Sequence, residues 1–369
     1  MIDFELSEEQ RMIRDTVGAF ARDEIRPAAR AADESGAIPP VLIAKIAELG
    51  LIRGAIPEAY GGDGGERSAV TGAILAEELA YGDLAIAIHC LAPRLLAYPV
   101  LEMGTEAQKA SLLKAMAGSG FVAGTAALME PRWDFDLTDL KTVARREGSG
   151  WLLGGLKCGV PIAAESETML VYARSGAGEG FAGVEAFIVP RAAAGVALGA
   201  RENSMGLKGL ATYEITFKDV QLDAQARLGS DKGVNYSRLM SEARVGLGAM
   251  AVGVMRAAFE YARDYAKERK AFGVPIATKQ AVAFMIADMA IEIDAARLLL
   301  WEAATRLDKG DDALAESYLA KNYAATSALR VTDNAVQVLG GHGYIREHPV
   351  EMWFRNARGF SALDGLATV

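Results

Sequence analysis

Cysteine and histidine are both scarce in this sequence. Its 369 residues include two cysteines, Cys90 and Cys158, and three histidines at positions 89, 342 and 348. The histidines are too scattered to follow the spacing of metal ligands, so the sequence predicts no metal site. Both cysteines are flanked by apolar residues, and we expect both thiols to be buried and structural.

The sequence also lacks a long hydrophobic run. The longest apolar stretch covers residues 245–255, which is too short to cross a bilayer. Charged residues occur throughout the first 30 positions, where a signal peptide would have an apolar core. We therefore expect a cytoplasmic protein that does not contact a membrane.

Positive charge is the third deficit. The 39 lysines and arginines are outnumbered by 48 aspartates and glutamates, which gives a formal net charge of −9. Such a chain repels the phosphate backbone of a nucleic acid and an anionic lipid surface. Nucleic acid is therefore excluded as a partner, and chemistry on a small molecule is favoured.

The length and texture of the chain indicate three domains. A single hydrophobic core stops growing at about 250–300 residues, so 369 residues suit several packed units. We expect an all-helical domain over 1–119, a β-domain of short strands over 120–230, and long helices over 231–369. The predicted fold class is α+β, mainly α, with a C-terminal four-helix bundle.

Local patterns place the individual elements. The capping-box pattern from Ser7 to Gln10 predicts a first helix that ends before Pro27. Thr105 and Gln108 repeat this pattern before residues 106–117. Further helices are predicted at 40–49, 68–81, 84–103, 233–270, 278–308, 311–339 and 348–356. Strands are predicted at 168–173, 184–189 and 213–217, where β-prone residues are bounded by turns.

Two segments of the last third carry recognisable motifs. Residues 269–280 have the form R-x-x-F-G-x-x-I-x-x-x-Q, and residues 337–344 have the form Q-x-x-G-G-x-G-Y. A P-V-E triplet follows at 349–351, and Arg355 begins an R-x-A-R segment. In this order the motifs resemble those of acyl-CoA dehydrogenases, as do residues 57–62 and 77–82. The resemblance covers nearly the whole chain and implies the acyl-CoA dehydrogenase fold.

The resemblance also implies a cofactor and an assembly. In this family FAD is shared between the subunits of a tetramer, and C-terminal residues of one chain meet the adenosine diphosphate half of a neighbour's cofactor. The matching positions are Arg269, Phe272, Gln280, Gln337, Gly340 and Gly341. A guanidinium pairs well with pyrophosphate, and a glycine pair allows close backbone approach. The alternative for the same residues is an exposed cation, a core phenylalanine and a helix-ending glycine pair.

The flavin-ring motifs depart from the family pattern. Where the family has T/S-E-P-x-x-G-S-D, residues 129–136 read M-E-P-R-W-D-F-D. In the second segment, Gly159 stands at the position of an aromatic residue, and Pro161, which has no N–H, stands at the position of a threonine. These departures put flavin binding by the isolated chain in question. Trp133 could supply the missing aromatic ring, or it could be an ordinary core or surface residue.

The catalytic end of the chain departs as well. The family's Y-E-G-T motif supplies a glutamate base, whereas this chain has L-D-G-L at 363–366. Asp364 keeps the carboxylate on a side chain shorter by about 1.5 Å, so it is the candidate base, with a solvated turn aspartate as the alternative. Arg244 matches an arginine that helps to hold the CoA ester. Ala243 precedes it where some members carry the base, and Glu242 should point elsewhere on the helix.

Three hypotheses follow. The first is an FAD-dependent acyl-CoA dehydrogenase that desaturates an acyl-CoA thioester with Asp364 as base. The second is a non-catalytic or half-catalytic subunit of a mixed tetramer, whose companion chain carries the intact motifs. The third is a related acyl-CoA lyase or flavin-independent binder. All three predict a homo- or hetero-tetramer, and the resemblance implies an electron-transfer flavoprotein as the electron acceptor.

Overall fold

The N-terminal part of the chain is helical. The structure is a computed structural model that describes residues 5–118, 120–176 and 178–369. Its first helices are α1 (Glu8–Phe20), α2 (Arg26–Ser35), α3 (Pro40–Glu48), α4 (Ala69–Gly82), α5 (Leu84–Leu91), α6 (Arg94–Met103) and α7 (Glu106–Met116). Both predicted capping boxes are present, because Ser7 caps α1 and Thr105 caps α7 through reciprocal hydrogen bonds with the glutamines three residues later. These helix starts are confirmed.

The first helix ends at Phe20, before Pro27 as predicted, but the helical path continues beyond it. A π-helical turn, Ala21–Ile25, joins α1 to α2, and the N–H of Arg26 donates to the carbonyl of Ala21. After this wider turn the α-helical hydrogen bonds begin again with α2, so that Pro27 falls in its first turn. A proline is tolerated there because its missing N–H has no partner to lose.

The predicted helix 84–103 is two helices. Pro93, which has no N–H to donate, separates α5 from α6. The combined segment Leu84–Met103 is long and apolar enough by composition to cross a membrane, but 94% of its 18-residue apolar window is buried inside the protein. It is therefore the core of the helical domain.

The middle of the chain forms a twisted seven-stranded sheet. Its strands are β1 (Thr125–Ala127), β2 (Val143–Glu147), β3 (Gly150–Pro161), β4 (Thr168–Arg174), β5 (Val184–Pro190), β6 (Val196–Arg201) and β7 (Thr212–Leu222). The order is β1-β4-β2-β3-β7-β6, with β5 antiparallel to β4. The pairing of β3 with β7 shifts register between Lys157 and Val160. The shift forms a β-bulge around Gly159, whose φ is +63°. The bulge places this glycine at the boundary with the helical domains.

Five helices and a short hairpin make up the last third. They are α8 (Tyr236–Glu268), β8 (Lys270–Ala271), β9 (Val274–Pro275), α9 (Gln280–Asp308), α10 (Leu314–Leu339), α11 (Gly341–Tyr344) and α12 (Val350–Ala357). The helix α8 is the central element, because it packs against α4, α9 and α10. Glycines allow the close approach: a methyl group on Gly253 would lie 2.2 Å from the carbonyl oxygen of Glu77.

Ion pairs join the first domain to the bundle where α4, α8 and α9 meet. Arg256 of α8 lies 2.8 Å from Glu77 and is bonded to Glu78, and Arg297 of α9 lies 2.9 Å from Glu77. Burial would lower the pKa of Arg256, but the two glutamates raise it above its usual value. Removing one member of such a buried group leaves an uncompensated charge, which costs about 3–5 kcal/mol. The helical parts of the chain are therefore held as one body.

The cysteines differ in exposure. Cys90 is buried, as expected, whereas Cys158 is only half-buried, so the expectation holds fully for the first alone. Burial raises the pKa of both thiols, that of Cys158 to about 11. Both are therefore protonated at neutral pH.

A buried histidine on α5 makes folding sensitive to acid. His89 is 4% exposed and stacks on Phe121, with ring centroids 5.2 Å apart. Within the described residues its Nε2 atom has no hydrogen-bond partner, and the Glu165 carboxylate is 3.9 Å away. Burial lowers the pKa of His89 to about 4. The folded chain therefore holds this imidazole neutral.

We expect this histidine to weaken the fold below neutral pH. The pKa of His89 in the folded chain lies below the unfolded value of about 6.5. Its contribution to the free energy of unfolding is therefore fully present above pH 6.5 and falls as the pH drops towards 4, by about 2 kcal/mol at pH 5. His89→Leu should remove that share of the acid-induced loss. Urea unfolding at pH 7.5 and pH 5 measures it, with Phe121→Leu as a packing control. Identical pH dependence in His89→Leu and the unaltered protein would contradict the assignment.

Candidate active site

A crevice of about 560 Å³ opens between the middle domain and the bundle. Its β-domain wall consists of residues 135–138 and Phe181, and its bundle wall comes from α8 and the first half of α10. Five charged side chains line the same space, namely Arg244, Lys321, Asp136, Asp312 and Asp364. The structure therefore brings the predicted base and the predicted substrate-binding residue together.

Arg244 reaches the crevice from the buried part of α8. It is 8% exposed, and its guanidinium carbon lies 5.2 Å from the ring centroid of Tyr318. Burial lowers the pKa of Arg244, and the nearby Asp364 carboxylate opposes that shift. A buried guanidinium of this kind attracts an anionic or carbonyl oxygen that enters the crevice.

Asp364 is held by a lysine that the sequence motifs did not identify. The Nζ atom of Lys321 lies 3.3 Å from Oδ1 of Asp364, and the lysine side chain is nearly buried. A signal was present in the sequence, because Lys321 lies at helical spacing between Ser317 and Ala324, which are both buried. A charged residue on the buried face of a helix needs a partner. Asp364 is that partner, which argues against the alternative of a merely solvated turn residue.

Aromatic side chains form the floor beneath the crevice. The ring of Tyr236 lies 5.5 Å from the rings of Tyr172 and Phe181. The Tyr236 hydroxyl donates to the carbonyl of Leu137, 3.1 Å away. Burial raises the pKa of both tyrosines, so both phenols are neutral. The floor is therefore apolar and uncharged, which strengthens the electrostatic interactions above it.

The neighbouring carboxylate on α8 points away from the crevice, as expected from its position on the helix. Glu242 is buried and pairs with Arg67 and Arg238. Burial raises the pKa of Glu242 to about 7, although Arg67 opposes the shift. It does not line the crevice, and Ala243, which follows it, has no acidic group.

The surviving glutamate of the first flavin motif has a structural role. Glu130 accepts the N–H of Lys141 and of Thr142, each at 2.8 Å, and the Lys157 Nζ atom at 3.1 Å. Burial would raise the pKa of Glu130, but these partners hold it below its usual value. Burial lowers the pKa of the fully enclosed Lys157 to about 8. The pair is therefore ionised at neutral pH and ties β3 to the turn after β1.

The space between Met129 and Asp364 is too narrow for the flavin ring. The Asp364 N–H donates to the Met129 sulfur atom at 3.2 Å. The Met129 methyl carbon is 2.5 Å from where a side chain on Gly159 would begin. A planar ring needs about 7 Å between the atoms that cover its two faces, twice an ordinary contact distance. The isoalloxazine of FAD therefore does not fit between Met129 and Asp364 in this arrangement.

Neither Gly159 nor Trp133 provides a site for the flavin ring. Gly159 opens onto a separate cavity of about 790 Å³, which Glu202 and Leu363 also line. The Gly159 N–H donates to the Glu202 carboxylate at 2.9 Å. Trp133 is 98% exposed, so it is a surface residue and covers nothing in this chain.

The residues matched to the adenosine half of FAD lie at the other end of the bundle. All of them are exposed, namely Arg269, Phe272, Gln280, Gln337, Gly340 and Gly341. Phe272 is 95% exposed at the turn of the β8–β9 hairpin, with a φ of +54° that a non-glycine residue rarely adopts. Lys321 and Gln337 are sixteen residues apart on α10, about 24 Å at 1.5 Å per residue. These residues therefore do not reach the crevice of this chain.

Models of one family match the three parts of the chain. They are described as the acyl-CoA dehydrogenase N-terminal domain over residues 7–119, the middle domain over 125–220 and the C-terminal domain over 232–369. Together they cover most of the sequence.

Individual relatives match over nearly their whole length. The CarC subunit of the caffeyl-CoA reductase-Etf complex of Acetobacterium woodii is 36% identical, over 98% of this chain and 96% of that protein. Cyclohex-1-ene-1-carbonyl-CoA dehydrogenase of Geobacter metallireducens is 35% identical, over 96% and 93%. The solved structure of butyryl-CoA dehydrogenase from Megasphaera elsdenii superimposes with a TM-score of 0.89 at 31% identity, over 100% and 96%.

A methyl group at Gly365, next to Asp364, should destabilise the fold. Its φ is +67°, and an added side chain would begin 2.4 Å from a Leu128 methyl carbon. We expect Gly365→Ala to lose about 1–2 kcal/mol from backbone strain and a further 1–3 kcal/mol from overlap. Gly310→Ala is the matched control, because its φ is +76° in open space. Urea unfolding compares the two, and equal losses would show that Gly365 is not packed on Leu128.

Proposed function

Because this chain belongs to the acyl-CoA dehydrogenase family, we propose that it takes part in the FAD-dependent α,β-oxidation of an acyl-CoA thioester bound in the crevice beside Asp364. One observation carries the proposal: the Asp364 carboxylate shares a crevice with two cationic side chains, Arg244 and Lys321, above an apolar floor. Relatives named as dehydrogenases and as a reductase of CoA esters support the reaction class.

The side chains of the crevice have different roles in this proposal. Arg244 attracts the polar, anionic part of the CoA ester. Asp364 accepts the proton when the C–H bond next to the thioester carbonyl breaks, and Lys321 keeps its carboxylate in place until then. The electron pair of the adjacent C–H bond would leave as hydride to a flavin in contact with the same acyl chain. Another chain of the assembly would have to supply that flavin, since the ring does not fit beside Asp364 in this one, so only the proton transfer is assigned to this chain.

The base assignment is tested by removing the charge of Asp364. In the assembly that carries FAD, we expect Asp364→Asn to lower the rate of acyl-CoA oxidation about 10²–10⁴-fold, the usual contribution of a general base. Asp312→Asn is the control, because Asp312 lines the same crevice and its side chain accepts the Leu314 N–H. Dye reduction measured with a series of acyl-CoA esters gives the rates. An unchanged rate in Asp364→Asn would remove the base from this chain.

A second function is favoured by one feature of the structure. The exposed residues that match the adenosine-binding positions, including Arg269 and Phe272, lie far from the crevice. In addition, Met129 stands where the family motif has a small hydroxyl residue. Both fit a half-catalytic subunit that contacts the FAD of a companion chain with intact motifs. In that case Arg269→Met in this chain lowers FAD retention by the mixed assembly, and Asp364→Asn leaves the oxidation rate unchanged.

We also propose that the chain is tetrameric, alone or with that companion, and that it passes electrons to an electron-transfer flavoprotein in the cytoplasm. Support for assembly comes from an apolar stripe on α9. Phe284, Ile291 and Leu298 recur every seven residues and are 61%, 64% and 46% exposed. Residues spaced by seven share one face of a helix, so the stripe is suited to pack against another subunit.

The stripe predicts which substitution breaks the assembly. We expect Ile291→Glu to release chains of 39.1 kDa, because a buried unpaired carboxylate is costly at an interface. Met12→Glu on α1 is the control, since Met12 is equally exposed at 64%. Light scattering coupled to size exclusion gives the masses. If Ile291→Glu keeps the original mass, α9 does not form the contact.

A further inference from the structure

We propose that this chain closes its own flavin slot with its own side chains, so that the folded chain holds no FAD in its β-domain. The inference rests on the proposed function only for the identity of the cofactor. It deepens that function, because it assigns the flavin of the assembly to another chain. Three independent parts of the structure support it.

The first part is the direct contact across the slot. Met129 lies between the two segments that would cover the ring, since its sulfur accepts the Asp364 N–H and its methyl group faces Gly159. Its carbonyl accepts the Cys158 N–H at 2.9 Å, which fixes the backbone on the same side. Both walls of the slot are therefore joined through one side chain, and the ring would have to displace it.

The second part is the anchoring of the segment that carries Asp364. Leu366, Ala367, Thr368 and Val369 are each at most 6% exposed. Methyl groups on Gly72 of α4 and on Gly246 of α8 would lie 2.8 Å and 3.0 Å from this segment. Both helices therefore hold it at close range. A ring cannot enter by moving this wall outwards without unpacking it from α4 and α8.

The third part is the loop that should bind the pyrophosphate. Three backbone N–H groups in and just after the loop are already used: Phe135 donates to the Arg132 carbonyl, and Thr138 and Asp139 donate to Asp136. Arg132 pairs with Asp134 at 3.1 Å and with Glu130 at 3.3 Å. The loop therefore presents two carboxylates and an aromatic ring where a pyrophosphate needs free N–H donors.

The first experiment measures flavin in the unaltered chain. Purified protein is incubated with excess FAD, or with FMN, which lacks the adenosine half, and is then desalted. We expect neither flavin to remain, and acyl-CoA binding measured by calorimetry on the same sample to persist. Retention of about one FAD per chain overturns the proposal. If that FAD is bleached by acyl-CoA, the proposed oxidation still stands.

The second experiment opens the slot by substitution. Met129→Thr combined with Asp134→Gly and Phe135→Ser restores small residues at the three positions and should tighten FMN binding at least about tenfold, which is 1.4 kcal/mol. Met129→Leu, which keeps the side-chain volume, should bind as weakly as the unaltered chain. Circular dichroism confirms that each variant is folded. Weak binding by the folded triple variant, or equal tightening by Met129→Leu, counts against closure by these side chains.

Discussion

Gly365 brings the end of the described chain so close to the β-domain that one added methyl group would overlap Leu128. This approach is what places the Asp364 carboxylate in the crevice, against Lys321 on one side and with its N–H on Met129 on the other. The same approach removes the gap that a flavin ring would need. The position of the candidate base and the closure of the slot are therefore one packing arrangement, and neither can be altered without the other.

The buried pair of Glu130 and Lys157 explains why parts of a flavin motif persist in a chain whose slot is closed. Glu130 satisfies two backbone N–H groups at the start of β2 and neutralises a fully enclosed lysine of β3. Loss of either partner would leave an unpaired buried charge, at about 3–5 kcal/mol. These two residues are required by the sheet itself. Their presence therefore says little about the cofactor, whereas Met129, Asp134 and Phe135 stand at the positions that would face it.

Local signals in the sequence predicted the elements well, and contacts distant in sequence were beyond its reach. The capping boxes at Ser7 and Thr105 determine helix starts through hydrogen bonds three residues long, so the pattern alone identifies them. Pro27 correctly indicated that the first helix ends upstream, whereas the π turn that joins α1 to α2 left no signal in the pattern. The family motifs identified Asp364 and Arg244 separately. Asp364 meets Lys321, 43 positions away, and Met129, 235 positions away, only through packing of the folded chain. The periodicity of a sequence carries no information about contacts at such separations.

The helix α10 separates two functions that the family motifs describe together. Lys321 near its start faces the crevice, and Gln337 near its end is exposed beside the hairpin that displays Phe272. Since about 24 Å of helix lies between them, changes at the crevice leave the far end untouched. A chain with a closed slot can therefore keep a complete surface for the adenosine half of another chain's cofactor. Phe272 is consistent with this separation, because its ring is 95% exposed at a φ of +54° and contacts only Lys279 among the ring contacts of the described residues.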